Sequence, residues 1–301
     1  MEKAIAILAA GIGSRYGGLK QMDPIGPSGE FIIDYTVYDA LRAGFNKVIF
    51  IVRHDIKGPF QETIGKRVAK HVETCYAFQE LDDLPIPVQR DPDRTKPWGT
   101  VQALLACKDL AKEPYAILNA DDFYGRESYA LLSAYLERIS AGDTNACMIG
   151  FKLNHTLSKH GSVTRGICKS TEDSLLQTIE EVSDIHHEED SVYQEDATGK
   201  RTPLANDTLA SMNMWGFSPS LFGAFTDSFV DFLQAKGQEL KSELVIPTAV
   251  STLIEKGKVS VKAIGTSSKW FGVTYPEDKP GVVSQINALV ESGEYPGNLW
   301  G

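Results

Sequence analysis

A glycine-rich segment near the N-terminus combines residue types that bind phosphate groups: LAAGIGSRYGGLKQM, residues 8–22. Glycine has no Cβ, so the backbone N–H groups of Gly11 and Gly13 can approach an anion closely. Arg15 and Lys20 add a guanidinium that binds phosphate oxygens and an ammonium that neutralises charge shifting during phosphoryl transfer. The segment predicts a polyphosphate site; the alternative is a glycine-rich turn with two surface cations.

Two common phosphate-binding motifs do not match this segment. A Walker motif requires a Lys directly after its last glycine, whereas Leu19 separates Gly18 from Lys20. The dinucleotide fingerprint requires a third glycine where Tyr16 stands, and an acid at the end of the second predicted strand, where Arg53 stands. A P-loop enzyme and a nicotinamide-dependent oxidoreductase are therefore disfavoured.

A second chemical feature is the pair of adjacent carboxylates in YAILNADDFYG, residues 115–125. The apolar run predicts a buried strand, and ligands in open α/β sheets gather at the carboxyl ends of strands. A hard dication that bridges phosphate oxygens takes carboxylate ligands, typically one or two from the protein. Asp121 is therefore predicted to bind Mg²⁺, and Asp122 to cap a helix or to support the metal ligand.

The elements that must position these residues follow an alternating pattern. Short apolar runs predict buried parallel strands, and the amphipathic stretches between them predict crossover helices. The strands are AIAILAA, KVIFIV, YAILNA and ACMIGFKL, and the helices FIIDYTVYDALRAG, VQALLACKDLA and YALLSAYLERIS. We predict an α/β fold with a doubly wound, mixed and mostly parallel sheet, in which residues 1–150 form a nucleotide-binding lobe.

Residues 151–301 are predicted to form an acceptor lobe that ends in a helix and belongs to the same compact unit. Its polar segment between His186 and Arg201, HHEEDSVYQEDATGKR, is interpreted as an exposed loop or lid. The remaining predicted elements are the strand SMNMWGF, the helices SLFGAFTDSFVDFLQAKG and SELVIPTAVSTLIEKGK, the strand VSVKAI and a helix from Pro276.

Composition limits the possible partners and compartment. The 301 residues include 30 Lys and Arg against 40 Asp and Glu, a net charge of −10, which disfavours a nucleic-acid or anionic-membrane surface. The four cysteines lie far apart without metal-ligand spacing and are interpreted as reduced thiols. We find neither a signal peptide nor an apolar run of the roughly 18 residues that span a bilayer, and expect a cytoplasmic protein.

The glycine-rich segment resembles the GxG(T/S)R…K signature of sugar-1-phosphate nucleotidyltransferases, the sugar-nucleotide pyrophosphorylases. The matching residues are Gly11, Gly13, Ser14, Arg15 and Lys20. The resemblance implies a Rossmann-like, GT-A-like nucleotidyltransferase fold and Mg²⁺-dependent joining of an NTP to a sugar 1-phosphate with release of pyrophosphate. Arg15 would hold the pyrophosphate and Lys20 the α-phosphate. The implied nucleotide-binding residues are Leu8, Ala10, Gly11, Gly13, Ser14, Gln89, Gly99 and Thr100.

The segment PVQRDPDRTKPWGTVQALLA carries the predicted base site. The family has a similar arrangement, in which a glutamine and a following glycine loop hold a pyrimidine. A carboxamide such as that of Gln89 offers a donor and an acceptor, which match the imide edge of uracil or thymine. UTP or dTTP is therefore the expected nucleotide.

The second half resembles the family in its acceptor-binding residues. LLQTIEEV places Glu181 where the family's acid holds sugar hydroxyls, and the resemblance also implies that Asn119 and Asn213 bind the acceptor. The alternative for Asn213 is a structural amide. Val182 stands in place of the lysine that grips the sugar phosphate, and either of two cations could serve instead: Arg165 or Lys200.

KWFGVTYPEDK resembles the family element Trp-x-Asp-x-Gly-Thr, whose aspartate is a second metal ligand in many members. Gly272 stands in its place, so the metal would have one carboxylate or a substitute; the substitutes are Asp278, Glu277 and Glu243. Two alternative functions remain open. The short glycine loop fits a cytidylyltransferase for an alcohol phosphate such as phosphocholine, and Val182 with Gly272 fits a non-catalytic sugar-nucleotide-binding regulator.

Overall fold

An eleven-stranded mixed sheet with helices on both faces dominates the computed structural model, which describes residues 2–11, 23–158, 161–188, 191–273 and 276–301. The strands of the first half are β1 (Ala4–Leu8), β2 (Lys47–Val52), β3 (Glu73–Phe78), β4 (Tyr115–Asn119), β5 (Asp122–Phe123) and β6 (Asn145–Lys152).

Strands β1 to β4 pair in parallel, as the apolar runs predict. Helix α2 (His54–Phe60) continues through a π-helical turn, Gln61–Gly65, into α3 (Lys66–Val68). The helices of the first half are α1 (Ile32–Arg42), α2 (His54–Phe60), α3 (Lys66–Val68), α4 (Thr100–Ala106) and α5 (Arg126–Leu136). These elements confirm the predicted βαβ organisation.

The second half supplies mainly antiparallel strands, β7 (Val163–Ser170), β8 (Leu176–Glu188), β9 (Ser191–Glu195), β10 (Arg201–Leu204), β11 (Leu209–Phe217), β12 (Ser260–Thr266) and β13 (Phe271–Gly272). Its helices are α6 (Leu221–Lys236), α7 (Ile246–Glu255) and α8 (Lys279–Glu291), with single 3₁₀ turns at Leu153–His155 and Pro276–Asp278. The strand order of the large sheet is β10-β9-β8-β7-β11-β4-β1-β2-β3, with β6 pairing both β11 and β12. Strand β12 pairs in parallel with β6, and β13 pairs with β5 in a separate two-stranded sheet. The α/β class is confirmed, with parallel core strands and more antiparallel pairing than predicted.

Alternate residues of the central strands enter different apolar clusters, which is why the fold has three layers. Ile5 and Ile7 of β1 pack with α1, α2 and α5, whereas Ala4 and Ala6 pack with α4, α6 and α7. Helices therefore cover both faces of the sheet, as a doubly wound fold requires. No helix in the described ranges combines the length and the apolar character needed to cross a membrane.

The prediction of an exposed loop between His186 and Arg201 is wrong. The end of β8 pairs with β9, and β9 pairs with β10, so the segment forms an antiparallel meander at the sheet edge. Ile185 and Val192 are buried in a small apolar cluster, and the ring of His186 stacks on Tyr193. The strand pattern was hidden because these few apolar positions alternate with charged residues that face solvent.

Helix α1 contains a buried acid, Asp39, with 1% of its surface exposed. Its Oδ2 accepts a hydrogen bond from the Tyr295 hydroxyl at 2.6 Å, and its Oδ1 lies 3.7 Å from the Arg42 guanidinium. Burial raises the pKa of Asp39 to about 7, although the hydrogen bond from Tyr295 and the charge of Arg42 oppose the shift. The folded protein therefore holds this proton more tightly than the unfolded chain does.

Asp39→Asn should change the pH dependence of stability. Because the folded-state pKa exceeds the unfolded value, the stability contributed by the protonated acid is complete at low pH and is lost as pH rises through about 7. As pH rises from about 4 to 7, the free energy of unfolding of wild type should fall by roughly a few kcal/mol more than that of the variant. Urea denaturation across this range measures it, with exposed Asp207→Asn as control; parallel curves for wild type and Asp39→Asn would contradict it.

Candidate active site

The carboxyl ends of the parallel strands meet at one edge of the sheet. Leu8, the last residue of β1, is in register with Ile51 of β2 and Asn119 of β4. Ala9 donates its N–H to the Ile51 carbonyl at 2.8 Å, so Ala10 and Gly11 leave from this edge. The turn with Asp121 follows β4 directly. The predicted residues Leu8, Ala10, Gly11 and Asp121 therefore share one edge, whereas Gly13, Ser14, Arg15 and Lys20 lie outside the described residues.

Gly99 and Thr100 stand at the start of α4, against the segment that leads into α7. Gly99 has φ = +102°, and a Cβ there would lie 2.4 Å from the Leu244 carbonyl oxygen. Val101 donates its N–H to that carbonyl at 3.1 Å, and Ile246 donates its N–H to the Thr100 hydroxyl at 2.8 Å. The glycine is required because two backbone segments touch here.

The glutamine at the sheet edge is Gln79, which directly follows β3. Its Nε2 donates to the Gly99 carbonyl at 3.1 Å and to the Gln102 Oε1 at 3.2 Å. The predicted base-binding residue Gln89 is instead exposed, in the irregular connection between β3 and α4. Sequence analysis missed Gln79 because β3 was not among the predicted strands; a strand assigned to ETCYAF would have placed Gln79 at a carboxyl end.

Strand β11 has two different neighbours along one of its edges. Ala210 and Ser211 pair with β6 and β7, whereas Trp215 and Gly216 pair with β6 and β4. Because β6 occupies one edge throughout, β4 and β7 share the other edge end to end. Asn213 lies at the gap between them, at a register shift and with φ = +61°. Asn tolerates this left-handed conformation better than most residues. The β-bulge at Asn213 can therefore bend the backbone of β11 where the ladder is interrupted.

A chain of hydrogen bonds fixes the amides around this gap. Trp215 Nε1 donates to Asn213 Oδ1 at 3.0 Å, and Asn213 Nδ2 donates to Asn119 Oδ1 at 2.8 Å. Asn119 Nδ2 in turn donates to Asp122 Oδ2 at 2.8 Å. Because each N–H in this chain must meet an oxygen, the hydrogen bonds determine which end of each amide is the nitrogen. Each amide nitrogen also keeps one hydrogen that the chain does not use.

A cavity of about 200 Å³ opens at this gap. It brings together the three predicted acceptor-binding residues, Asn119, Glu181 and Asn213, and adds Asp122 and Arg165. Glu181 reaches it from β8, where it is in register with a glycine of β7. The bulge in β11 and the interruption between β4 and β7 thus produce a polar cavity beside the apolar central strands.

The space beside Gly272 explains why no side chain stands there. Gly272 pairs with Asp122 across the small β5–β13 sheet, and a Cβ at 272 would lie 2.8 Å from Asp122 Oδ1. The carboxylate of Asp122 therefore occupies the volume that a residue-272 side chain would need. Of the two roles predicted for Asp122, the helix cap is wrong, because α5 begins after Gly125 without a side-chain cap. Asp122 instead accepts a hydrogen bond from Asn119, and support of the metal ligand stays a prediction.

The donor set at the end of β4 fits a magnesium ion shared with a substrate. Within the ranges described, no three His, Cys, Asp or Glu side chains come together as a closed metal site. Mg²⁺ bound to substrate phosphates keeps several waters and takes only one or two carboxylates, and the partly exposed Asp121 provides hard oxygen ligands. Of the acids considered as substitutes, Glu243 pairs with Lys96 at 2.5 Å, and Asp278 accepts a 3.5 Å hydrogen bond from Ser158.

The sheet order and this polar site at its carboxyl edge define an α/β protein of the nucleotidyltransferase fold class. The family model described as nucleotidyl transferase matches residues 3–185, more than half of the chain. The chain therefore belongs to the nucleotidyl transferase family, which confirms the family indicated by its glycine-rich segment. A sequence search against curated proteins found no match.

Three solved structures show the same fold at low sequence identity. A Bacillus anthracis protein provisionally named a glucose-1-phosphate thymidylyltransferase, in complex with a sucrose, has a TM-score of 0.60 and 15% identity, covering 94% of this chain and 95% of its own. An inositol-1-phosphate CTP transferase from T. maritima has a TM-score of 0.60 and 12% identity, covering 95% and 96%. A UDP-glucose pyrophosphorylase complexed with UDP-glucose has a TM-score of 0.58 and 15% identity, covering 97% and 100%.

Gly99→Ala should destabilise the protein. The new Cβ would collide with the Leu244 carbonyl, and alanine disfavours the positive φ, so we expect a loss of about 2–5 kcal/mol in the free energy of unfolding. Gly281→Ala is the matched control: it lies within helix α8, and apart from its chain neighbours and its own helix backbone no heavy atom of the described residues lies within 4 Å of the added Cβ. It should stabilise slightly. Chemical denaturation compares the two, and equal stability would contradict the role assigned to Gly99.

Proposed function

We propose that this protein transfers a nucleotidyl group from an NTP, UTP or dTTP, to a sugar 1-phosphate and releases pyrophosphate. The observation that carries this proposal is the polar cavity between β4 and β7, beside the carboxyl edge at which the glycine-rich segment begins. Family membership supports nucleotidyl transfer, and the cavity supports the choice of acceptor.

The lining of the cavity suits a small polyhydroxylated acceptor. Sugar hydroxyls both donate and accept hydrogen bonds, and Asn119 and Asn213 offer amide N–H groups while Glu181 offers carboxylate oxygens. At about 200 Å³, the cavity is smaller than the pockets that typically hold drug-sized ligands. A single sugar ring with its phosphate therefore fits these observations better than a bulky acceptor.

The carboxamide beside Gly99 supports a uracil or thymine base. Gln79 Nε2 uses its two hydrogens on Gly99 and Gln102, which leaves Oε1 as an acceptor. Uracil and thymine have an imide N–H that can donate to such an oxygen, whereas the ring nitrogen of cytosine at that position has no hydrogen. This contact favours UTP or dTTP over CTP.

The reaction would be an in-line displacement at the α-phosphorus. An oxygen of the acceptor phosphate attacks, the bond to the β-phosphate bridging oxygen breaks, and pyrophosphate leaves without a covalent protein intermediate. Positioning and charge neutralisation supply most of the acceleration in such transfers. Arg15 is proposed to hold the pyrophosphate and Lys20 the α-phosphate. Mg²⁺ held by Asp121 would neutralise triphosphate oxygens, and Asp122 would keep Asn119 oriented toward the acceptor.

Asp121→Asn should abolish turnover while the fold is retained, because an amide is a much weaker ligand for Mg²⁺ than a carboxylate. Pyrophosphate release is measured for UTP, dTTP, CTP, ATP and GTP against several sugar 1-phosphates, inositol 1-phosphate and phosphocholine, with exposed Asp207→Asn as control. Turnover with UTP or dTTP and a sugar 1-phosphate that disappears only in Asp121→Asn supports the proposal. Turnover confined to CTP and an alcohol phosphate would favour a cytidylyltransferase, and no turnover by folded wild type would overturn the transferase function.

Gln79→Met should raise the KM for the nucleotide about tenfold, since a hydrogen bond to the base is lost, and should reduce discrimination between UTP and CTP. Gln89→Met removes the same carboxamide from an exposed position and serves as the matched control. Steady-state kinetics at saturating acceptor give the nucleotide KM and the ratio of kcat/KM for UTP and CTP. An effect from Gln89→Met but none from Gln79→Met would reverse the assignment.

A further inference from the structure

We propose that Arg165 is the cation that binds the phosphate group of the acceptor, an inference that rests on the proposed function and specifies its acceptor site. The antiparallel register of β7 and β8 pairs Arg165 directly with Val182, the position where the resembling family has its phosphate-binding lysine. Side chains of directly paired residues lie on the same face of a sheet. An arginine at 165 therefore presents its charge on the face from which a lysine at 182 would extend.

Several contacts hold the Arg165 guanidinium at the cavity. Its Cζ atom lies over the Trp270 ring, 4.9 Å from the ring centroid. Nε donates to the Thr156 carbonyl at 3.0 Å, Nη1 donates to the Thr164 carbonyl at 2.9 Å, and Nη2 also donates to Thr156. A guanidinium has five N–H donors, so each terminal nitrogen keeps one hydrogen for a further acceptor.

The charge of Arg165 has no carboxylate within ion-pair distance among the residues that the structure describes. By contrast, Arg53, Arg67 and Arg201 each contact an acid. Burial lowers the pKa of Arg165 to about 10, and the negative charge of Asp122 opposes this shift from a longer range. The group is still protonated at neutral pH. A largely desolvated cation whose hydrogen bonds go to neutral carbonyls is stabilised by an anionic ligand.

The other cation considered from the sequence does not reach this position. Lys200 lies exposed in the turn between β9 and β10, where its backbone N–H bonds to Asp196, and its residue does not line the cavity. Arg165 shares the cavity with Asn119 and Asn213, whose amides suit sugar hydroxyls. Two outward N–H groups on a planar cation match two oxygens of a phosphate monoester. The site therefore selects a phosphorylated sugar over the free sugar.

Four variants test this assignment. Arg165→Met removes the charge at similar length, Arg165→Lys keeps it, and Arg165→Met combined with Val182→Lys moves it to the paired position on β8. Lys200→Met is the control. Steady-state kinetics give kcat and KM separately for acceptor and nucleotide. Calorimetry without nucleotide gives the affinity for glucose 1-phosphate and for glucose, and thermal melting reports folding.

Arg165→Met should lower kcat/KM for the acceptor about 30- to 100-fold, the size expected for a hydrogen-bonded charge, and leave the nucleotide KM within about twofold. Arg165→Lys should lose less, and adding Val182→Lys should restore at least about tenfold, which a purely structural role would not permit. Lys200→Met should match wild type. Loss of affinity should affect glucose 1-phosphate and not glucose.

An unchanged acceptor kcat/KM in Arg165→Met would overturn the assignment. Equal losses for both substrates without recovery by Val182→Lys would also overturn it. If wild type releases no pyrophosphate with any substrate pair, the proposed function fails. Calorimetry alone then decides whether Arg165 binds the phosphate group. Weaker binding of glucose 1-phosphate by Arg165→Met at an unchanged melting temperature then supports the phosphate site, and no difference from wild type rejects it.

Discussion

The candidate site depends on the edge of β11 that β4 and β7 share end to end. A strand with continuous neighbours on both edges satisfies its backbone groups through the ladder, but at an interruption the polar groups need other partners. Here the Tyr124 hydroxyl donates to the Met212 carbonyl at 3.0 Å and accepts the Asn119 N–H at 3.1 Å. Side chains thus replace missing strand contacts, and the polar cavity is the space left between the two strand ends.

Asp122 is central to the site because its side chain also serves as a hydrogen-bond partner at the interruption between the strands. Its carboxylate accepts from Asn119 and has 8% of its surface exposed, so the acid and the amide must be arranged together. Because Asp122 fills the volume beside Gly272, a side chain at this position of β13 would displace the Asp122 carboxylate and crowd the Asp121 carbonyl oxygen, 3.1 Å from its Cβ. Gly272 on β13 therefore leaves room for the carboxylate of Asp122, which comes from the paired strand β5.

The sequence predicted those features that depend on local pattern. Continuous apolar runs identified β1, β2 and β4, and the acid directly after YAILNA was found at the carboxyl edge because every parallel strand ends there. Features that depend on strand register were missed. The pairing of Arg165 with Val182, the meander from β8 to β10, and the approach of Gln79 to Gly99 each join residues that no spacing rule connects. Register is set by long-range pairing, which one sequence does not display.

The contact between Gly99 and Leu244 joins the two halves of the site mechanically. Leu244 and Ile246 bond to the start of α4, and the neighbouring Val245 and Pro247 line the polar cavity. Movement of this short segment at one end therefore displaces the cavity wall at the other. A ligand that shifted the segment at the start of α4 would alter the cavity as well, and thermodynamic linkage would make such an effect equal in both directions. A backbone contact that leaves no room for a side chain thus joins the start of α4 to the wall of the cavity.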